Sequence, residues 1–203
     1  MAEAQVTGWQ RWDPGEREQS ILAAAALAFA RQPYSEVKIS AIAKAAGVSD
    51  ALIYRYFDGK EALYAAVVQL TARELAARQQ AALAALPGNT ARREKVRVVT
   101  EVYLDHIAAD PAAWAIPLRN PGAEPASVTE IREQSRAEYV ATLGAILHRS
   151  AEPRHEYALW GYFGFLDAAC LHWVDVGFPA DGRWPLLEAA LGALEGALGD
   201  WSA

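Results

Sequence analysis

The sequence predicts an all-α protein: a three-helix, helix-turn-helix head followed by a larger helical body. Three observations point there. Apolar residues recur at helical spacing in one stretch after another, and most of those stretches open or close on cap residues such as Asp-Pro or Gly. Between Val37 and Tyr64, the run VKISAIAKAAGVSDALIYRYFDGKEALY reads as two short helices, a glycine turn and the start of a third. With 203 residues and 53% hydrophobic content, the chain can bury a core, as one domain or as a small domain fused to a larger one.

Met1 to Trp12 is polar, with Trp9, Arg11 and Trp12 embedded and no countable period. It reads as a terminal extension whose tryptophans tuck onto the domain, in preference to an arm carrying Arg11 to a minor groove. Asp13-Pro14 then supplies an N-cap and an N1 proline for a helix to about Arg31, buried through Ile21, Leu22, Ala25, Ala28 and Phe29. In the next helix, Ile39, Ile42, Ala43 and Ala46 form one apolar stripe, with Lys38 and Lys44 off it. Gly47 closes that helix in a left-handed turn, and Ser49 caps the next.

The segment Ser49–Phe57, SDALIYRYF, is the candidate major-groove reader. Val48, Ile53 and Phe57 are assigned to the core. Ser49, Asp50, Ala51, Leu52, Tyr54, Arg55 and Tyr56 are left for the groove or its walls. Arg55 suits guanine or phosphate, Ala51 and Leu52 a thymine methyl, and the tyrosine hydroxyls phosphates. Asp50 is read first as a complement to the helix N-terminus, and second as an acceptor for cytosine. Asp58 and Glu61 have capping-box spacing, which puts Lys60 in a first helical turn where an anion such as a DNA phosphate is favoured.

As a set, Arg17, Ile21, Leu22, Ala25, Phe29, Ile42-Ala43, Ala46-Gly47-Val48-Ser49, Ile53-Tyr54, Tyr56-Phe57 and Lys60-Glu61 resemble the signature of the TetR family of bacterial transcriptional regulators. The resemblance covers about the first third of the chain. It implies an all-helical homodimer with a DNA-reading N-terminal domain and a larger, ligand-sensing C-terminal domain. Two positions depart from the family pattern. Pro33 replaces a usual glycine, and Lys38 replaces a threonine that caps the second helix and touches phosphate. Lysine accepts no hydrogen bond, so the cap is expected from Ser35 or Ser40, with Lys38 meeting phosphate as a point charge.

Beyond the head, a long helix is expected from Asp58 to about Leu86 with Leu63, Val67 and Leu70 along its apolar stripe, stopped by Pro87-Gly88-Asn89. Thr90 to about Ala109 follows, buried through Val96, Val99, Tyr103 and Ile107. Asp110-Pro111 opens a short helix bearing Trp114, and Pro117 to Pro125 reads as a loop. Ser127 and Glu130 have capping-box spacing for a helix to about Arg149. Pro153 opens a helix that is apolar on nearly all sides and ends at Gly177. The last helix, from near Pro185 to Trp201, sets Leu187, Leu191, Leu194 and Leu198 beside Gly192 and Gly196. The resemblance assigns these last two helices to a four-helix dimer interface.

The domains are therefore expected at 1–12 (extension), 13–60 (helix-turn-helix) and 61–203 (effector-binding and dimerisation). Tyr103, His106, Trp114, Tyr139, Trp160, Phe163 and Asp167 are the candidate lining of an effector pocket for a hydrophobic or aromatic molecule. Tyr162, Asp105 and His172 are weaker candidates.

Composition narrows the alternatives. A single cysteine, Cys170, excludes an internal disulfide framework and fits a cytoplasmic protein. No secretory signal is visible, and Asp167 and His172 argue against a membrane span across Tyr157–Val174. The four histidines show no metal spacing and no nucleophile elbow or phosphate loop is found, so neither catalysis, cofactor nor metal is expected. The net charge is −6, yet residues 1–60 balance at seven basic and seven acidic side chains. Nonspecific DNA affinity should thus be modest, and binding should rest on local geometry and dimerisation. The expected function is a ligand-responsive regulator, a repressor released from a palindromic operator. A helical interaction protein that does not read DNA is the alternative.

Overall fold

The computed structural model describes residues 14–120, 122–148 and 152–199. Arg11, Asp13 and the tryptophans at 9, 12 and 201, to which the sequence reading gave roles, lie outside them. Among the described residues there are nine α-helices and no strand. The head comprises α1 (Pro14–Arg31), α2 (Ile39–Ala46) and α3 (Asp50–Tyr56), followed by the long α4 (Gly59–Ala84). The body comprises α5 (Arg92–Ala109), α6 (Pro111–Arg119), α7 (Ala126–Ile146), α8 (Pro153–Asp175) and α9 (Arg183–Leu198).

Two buried clusters organise these helices. The first joins Ile21, Ala25 and Phe29 of α1 to Ile42, Ile53, Phe57 and α4 residues Leu63, Tyr64, Val67 and Val68, and Val128 of α7 completes it. The second gathers the inner faces of α5, α7, α8 and α9, with Leu104, Ile107, Leu143, Leu166, Leu187 and Leu191 fully enclosed. Both α4 and α7 contribute to each cluster, since Leu75 and Leu83 pack on the second and Ile131 on the first. Head and body are thus joined by two continuous helices. In the body, α8 and α9 pack as an antiparallel pair, tied where Arg154 Nε donates to the Ala197 carbonyl at 2.8 Å.

Several local expectations are revised. Leu70, placed on the apolar stripe of α4, is exposed, and the inward positions are Tyr64 and Val68 instead. Pro117 lies inside α6 and does not start a loop, and Asp110 caps that helix by accepting from the Ala113 amide at 3.0 Å. Neither expected capping box forms. Asp58 makes no side-chain cap, and α7 starts at Ala126 behind Pro125. Ser127 Oγ instead donates to Glu61 Oε1 at 2.6 Å, tying the first turn of α7 to the first turn of α4. A hydrogen bond between two helices has replaced one within each.

Candidate nucleic-acid interface and effector cavity

Gly47, at φ +67°, turns the chain between α2 and α3, and the Val48 amide returns to the Ala43 carbonyl at 2.9 Å, closing a Schellman-type end. Ser49 caps α3, its Oγ accepting from the Leu52 amide at 3.3 Å. Ile53 (0% exposed) and Phe57 anchor the inner face of α3 in the head core, with Val48 half-buried against it. Asp50, Ala51, Tyr54 and Arg55 are consequently held outward, and Leu52 and Tyr56 flank them half-buried. Tyr54 is 58% exposed, and the Arg55 guanidinium lies 5.6 Å from the centre of the Tyr56 ring. Lys38 and Lys44 are exposed on α2 and its N-cap position. No side chain caps α2, so the role expected of Ser35 or Ser40 is not filled.

Lys60 is placed differently from expectation. Its ammonium turns back onto the α1–α2 connection, donating to the carbonyls of Tyr34 at 2.8 Å and Val37 at 3.1 Å, with that of Ser35 at 3.5 Å. It also sits 4.3 Å from the centre of the Tyr34 ring. Loop carbonyls and an aromatic face occupy the charge that the sequence reading assigned to phosphate.

A cleft of about 360 Å³ lies where α4, α5, α6, α7 and α8 meet, with α1 at its head end. Six of the seven sequence-predicted lining residues, Tyr103, His106, Trp114, Tyr139, Phe163 and Asp167, share it. Trp160 does not: it shares a helical stripe with Phe163 and Asp167 but lies one to two turns nearer the start of α8, and it is 43% exposed. Nor do the weaker candidates. Asp105 pairs with Arg183 at 2.6 Å outside the cleft, His172 is exposed, and Tyr162 is buried against Thr100. Within the cleft, Tyr103 OH donates to Asp167 Oδ1 at 2.7 Å and accepts from Trp114 Nε1 at 3.1 Å. Burial raises the Asp167 carboxyl above its ordinary range, against the opposing hydrogen bond from Tyr103 and charge of Arg136. Burial, and then the charge of Arg78, lower His106, so the neutral imidazole is favoured.

The head end of the cleft contains a polar knot that the sequence did not announce. Arg132 of α7 grips Glu124 through Nε (2.7 Å) and Nη2 (2.9 Å), and Tyr64 of α4 donates to the same carboxylate. Burial works to raise the Glu124 carboxyl, but the hydrogen bonds from Arg132 and Tyr64 and the Arg132 charge outweigh it, leaving it below the usual range. The Tyr64 hydroxyl is pushed up to about 12 by burial and by its bond to Glu124. Arg132 and Arg136 stand four apart on one helix, a signal that a solvated surface gives equally well, so sequence alone could not separate them from ordinary charges.

Known proteins resemble this chain in the sequence of its head and in its fold. The family model described as bacterial regulatory proteins, tetR family, matches residues 21–67, which run from α1 through α3 into α4. An uncharacterized HTH-type transcriptional regulator of Mycobacterium tuberculosis is 34% identical over 125 residues, 61% of each chain. The HTH-type transcriptional activator FasR of Mycolicibacterium smegmatis is 30% identical over 105 residues, 52% of this chain and 47% of FasR. The chain therefore matches under two thirds of the length of either relative. A tetR-family transcriptional regulator from Streptomyces coelicolor superposes with a TM-score of 0.75 at 23% identity, over 92% of this chain and 80% of that one. Residues 21–67 thus carry the signature of the TetR family of bacterial regulatory proteins, and the described residues share the fold of a tetR-family regulator.

Proposed function

We propose that this chain is a ligand-responsive transcriptional regulator that binds a palindromic operator as a homodimer, a repressor released when its effector occupies the cleft. The observation that carries the reading is the division of α3: Ile53 and Phe57 fix it to the head, and Asp50, Ala51, Tyr54 and Arg55 face outward on a rigid, capped helix. Two such helices about one duplex turn apart, roughly 34 Å, engage successive major grooves. Pairing is supported by the outer face of α8 and α9. Tyr157, Trp160 and Phe165 are exposed there, and Gly161, Gly164, Gly192 and Gly196 have open space in front of them.

Release requires the effector to bind one separation of the two heads better than another, because equal affinity for both shifts nothing. The cleft suits that role, since it lies between α4 and α7, the helices that continue into the head. The related FasR is described as an activator, so the sign of regulation is to be measured directly.

The experiment is a selection of bound DNA fragments by the full chain, followed by mobility shifts with Tyr54→Ala and Arg55→Ala. Each variant should keep its thermal melt and lose about tenfold or more in affinity for the selected site, as expected for about 1–3 kcal/mol per specific contact. If no fragment is enriched, the protein is a helical interaction module that does not read DNA; if both variants bind the selected site like the parent, the outward face of α3 is not what reads it.

A further inference from the structure

The polar side chains lining the cleft are largely satisfied within the protein. The hydroxyls of Thr71, Ser135 and Thr142 each donate to the carbonyl one turn back, at 3.0, 2.8 and 3.0 Å. The Gln79 amide donates to the Val99 carbonyl at 3.3 Å, Tyr103 is bound to Asp167, and Arg132 is held by Glu124. A ligand in this space meets few groups that need a hydrogen bond, so a ligand rich in internal polar groups would go unpaired there. The cleft is also long. On α4 its wall runs from Tyr64 to Gln80 along one helical stripe, a span of about 24 Å at the helical rise.

The two ends differ. At the head end, Phe29 and Tyr64, both nearly buried with ring centroids 4.3 Å apart, close the space. At the other end, Gln80 and Thr142 are shared with an adjoining surface pocket that also contains Lys95 and His148. Neither Gln80 nor the Lys95 ammonium has a hydrogen-bonding or ionic partner among the described residues. Arg92 Nη2 lies 3.0 Å from His148 Nδ1, and as arginine only donates, the imidazole proton is left on Nε2 as a further donor. Glu138, an acid of the cleft lining, is engaged by Gln134 at 2.9 Å.

We infer that the effector is a long unbranched acyl or alkyl chain with an anionic head, its tail along α4 toward Phe29 and Tyr64 and its head at Lys95 and His148. This rests on the ligand-responsive reading above. It differs from a compact aromatic effector in both shape and charge. Largely partnered polar walls favour hydrocarbon along the tail, and the unpaired Lys95 ammonium beside the His148 donor favours a negative group at that end.

The test is titration of the delipidated full chain below micellar concentrations, following fluorescence with palmitate, hexadecyl phosphate, 1-hexadecanol and octanoate. Palmitate or hexadecyl phosphate should bind at least tenfold tighter than octanoate and than 1-hexadecanol. Whichever anion is preferred identifies the head as carboxylate or phosphate. Lys95→Glu should cost at least tenfold for the anions and little for the alcohol, while Ala72→Trp, which fills the middle of the cleft, should abolish binding of all long chains. The inference is overturned if octanoate or 1-hexadecanol matches the long anions, if Lys95→Glu leaves them unchanged, or if a naphthoate binds better than palmitate. Failure to select any DNA fragment bears on operator reading, not on this binding.

Discussion

Lys60 shows how one side chain changes meaning once its surroundings are known. In sequence it is a cation in the first turn of a helix that follows a groove-reading segment, a place suited to a phosphate. In the fold its ammonium secures the α1–α2 connection through carbonyls more than twenty residues away in sequence. Lys60→Ala is therefore expected to destabilise the head by about 1–3 kcal/mol, because buried or half-buried carbonyls lose their donor. Urea denaturation should show the loss directly, and any fall in DNA affinity should track the unfolded fraction. A variant with unchanged stability and weakened binding would return Lys60 to the interface. Trp160 and Asp105 carry the same lesson, since residue type marked them for a pocket and their place in the packed fold put them outside it.

Among the elements, α4 and α7 matter most because each belongs to both buried clusters. Helical stripes and proline or glycine stops located most helices in the sequence to within a few residues. Their cross-links were not legible, since Tyr64, Glu124 and Arg132 are joined only when two helices and the connection before α7 come together. The Ser127–Glu61 bond has the same origin: each residue fits a local cap, but a tertiary partner is available at 2.6 Å. The lowered Glu124 carboxyl gives this junction a pH signature. Its folded value lies below its unfolded one, so its contribution is fully present above the ordinary glutamate range near about 4.3 and is lost as pH falls through the folded value. Glu124→Gln should thus be less stable than the parent at neutral pH, and the difference should shrink on acidification below about pH 4 in thermal melts. A constant difference across that range would deny the ion pair this role.

For the molecule as a whole, the outer face of α8 and α9 carries Tyr157, Trp160 and Phe165 in the open, flanked by glycines that let another helix approach closely. In the proposed dimer this face is covered and sets the spacing of the two heads. Trp160→Glu should shift sedimentation from dimer to monomer and reduce affinity for a palindromic site far more than for a half-site. An unchanged sedimentation coefficient would move the interface elsewhere. No helix among the described residues is long and apolar enough to cross a membrane.

By itself, the sequence determined the helical class, the helix-turn-helix with its glycine turn and serine cap, the outward set on α3 and most of the aromatic lining of the cleft. These depend on local periodicity, on backbone conformations open to few residues, and on apolar side chains that have to be enclosed somewhere. Tertiary structure alone decided which polar groups satisfy one another, including Lys60 on its loop, Ser127 on Glu61 and Arg132 on Glu124, and hence which are left for a ligand. A hydrogen bond acts over about 3 Å in space and is blind to separation along the chain, so its partners exist only after the helices have packed.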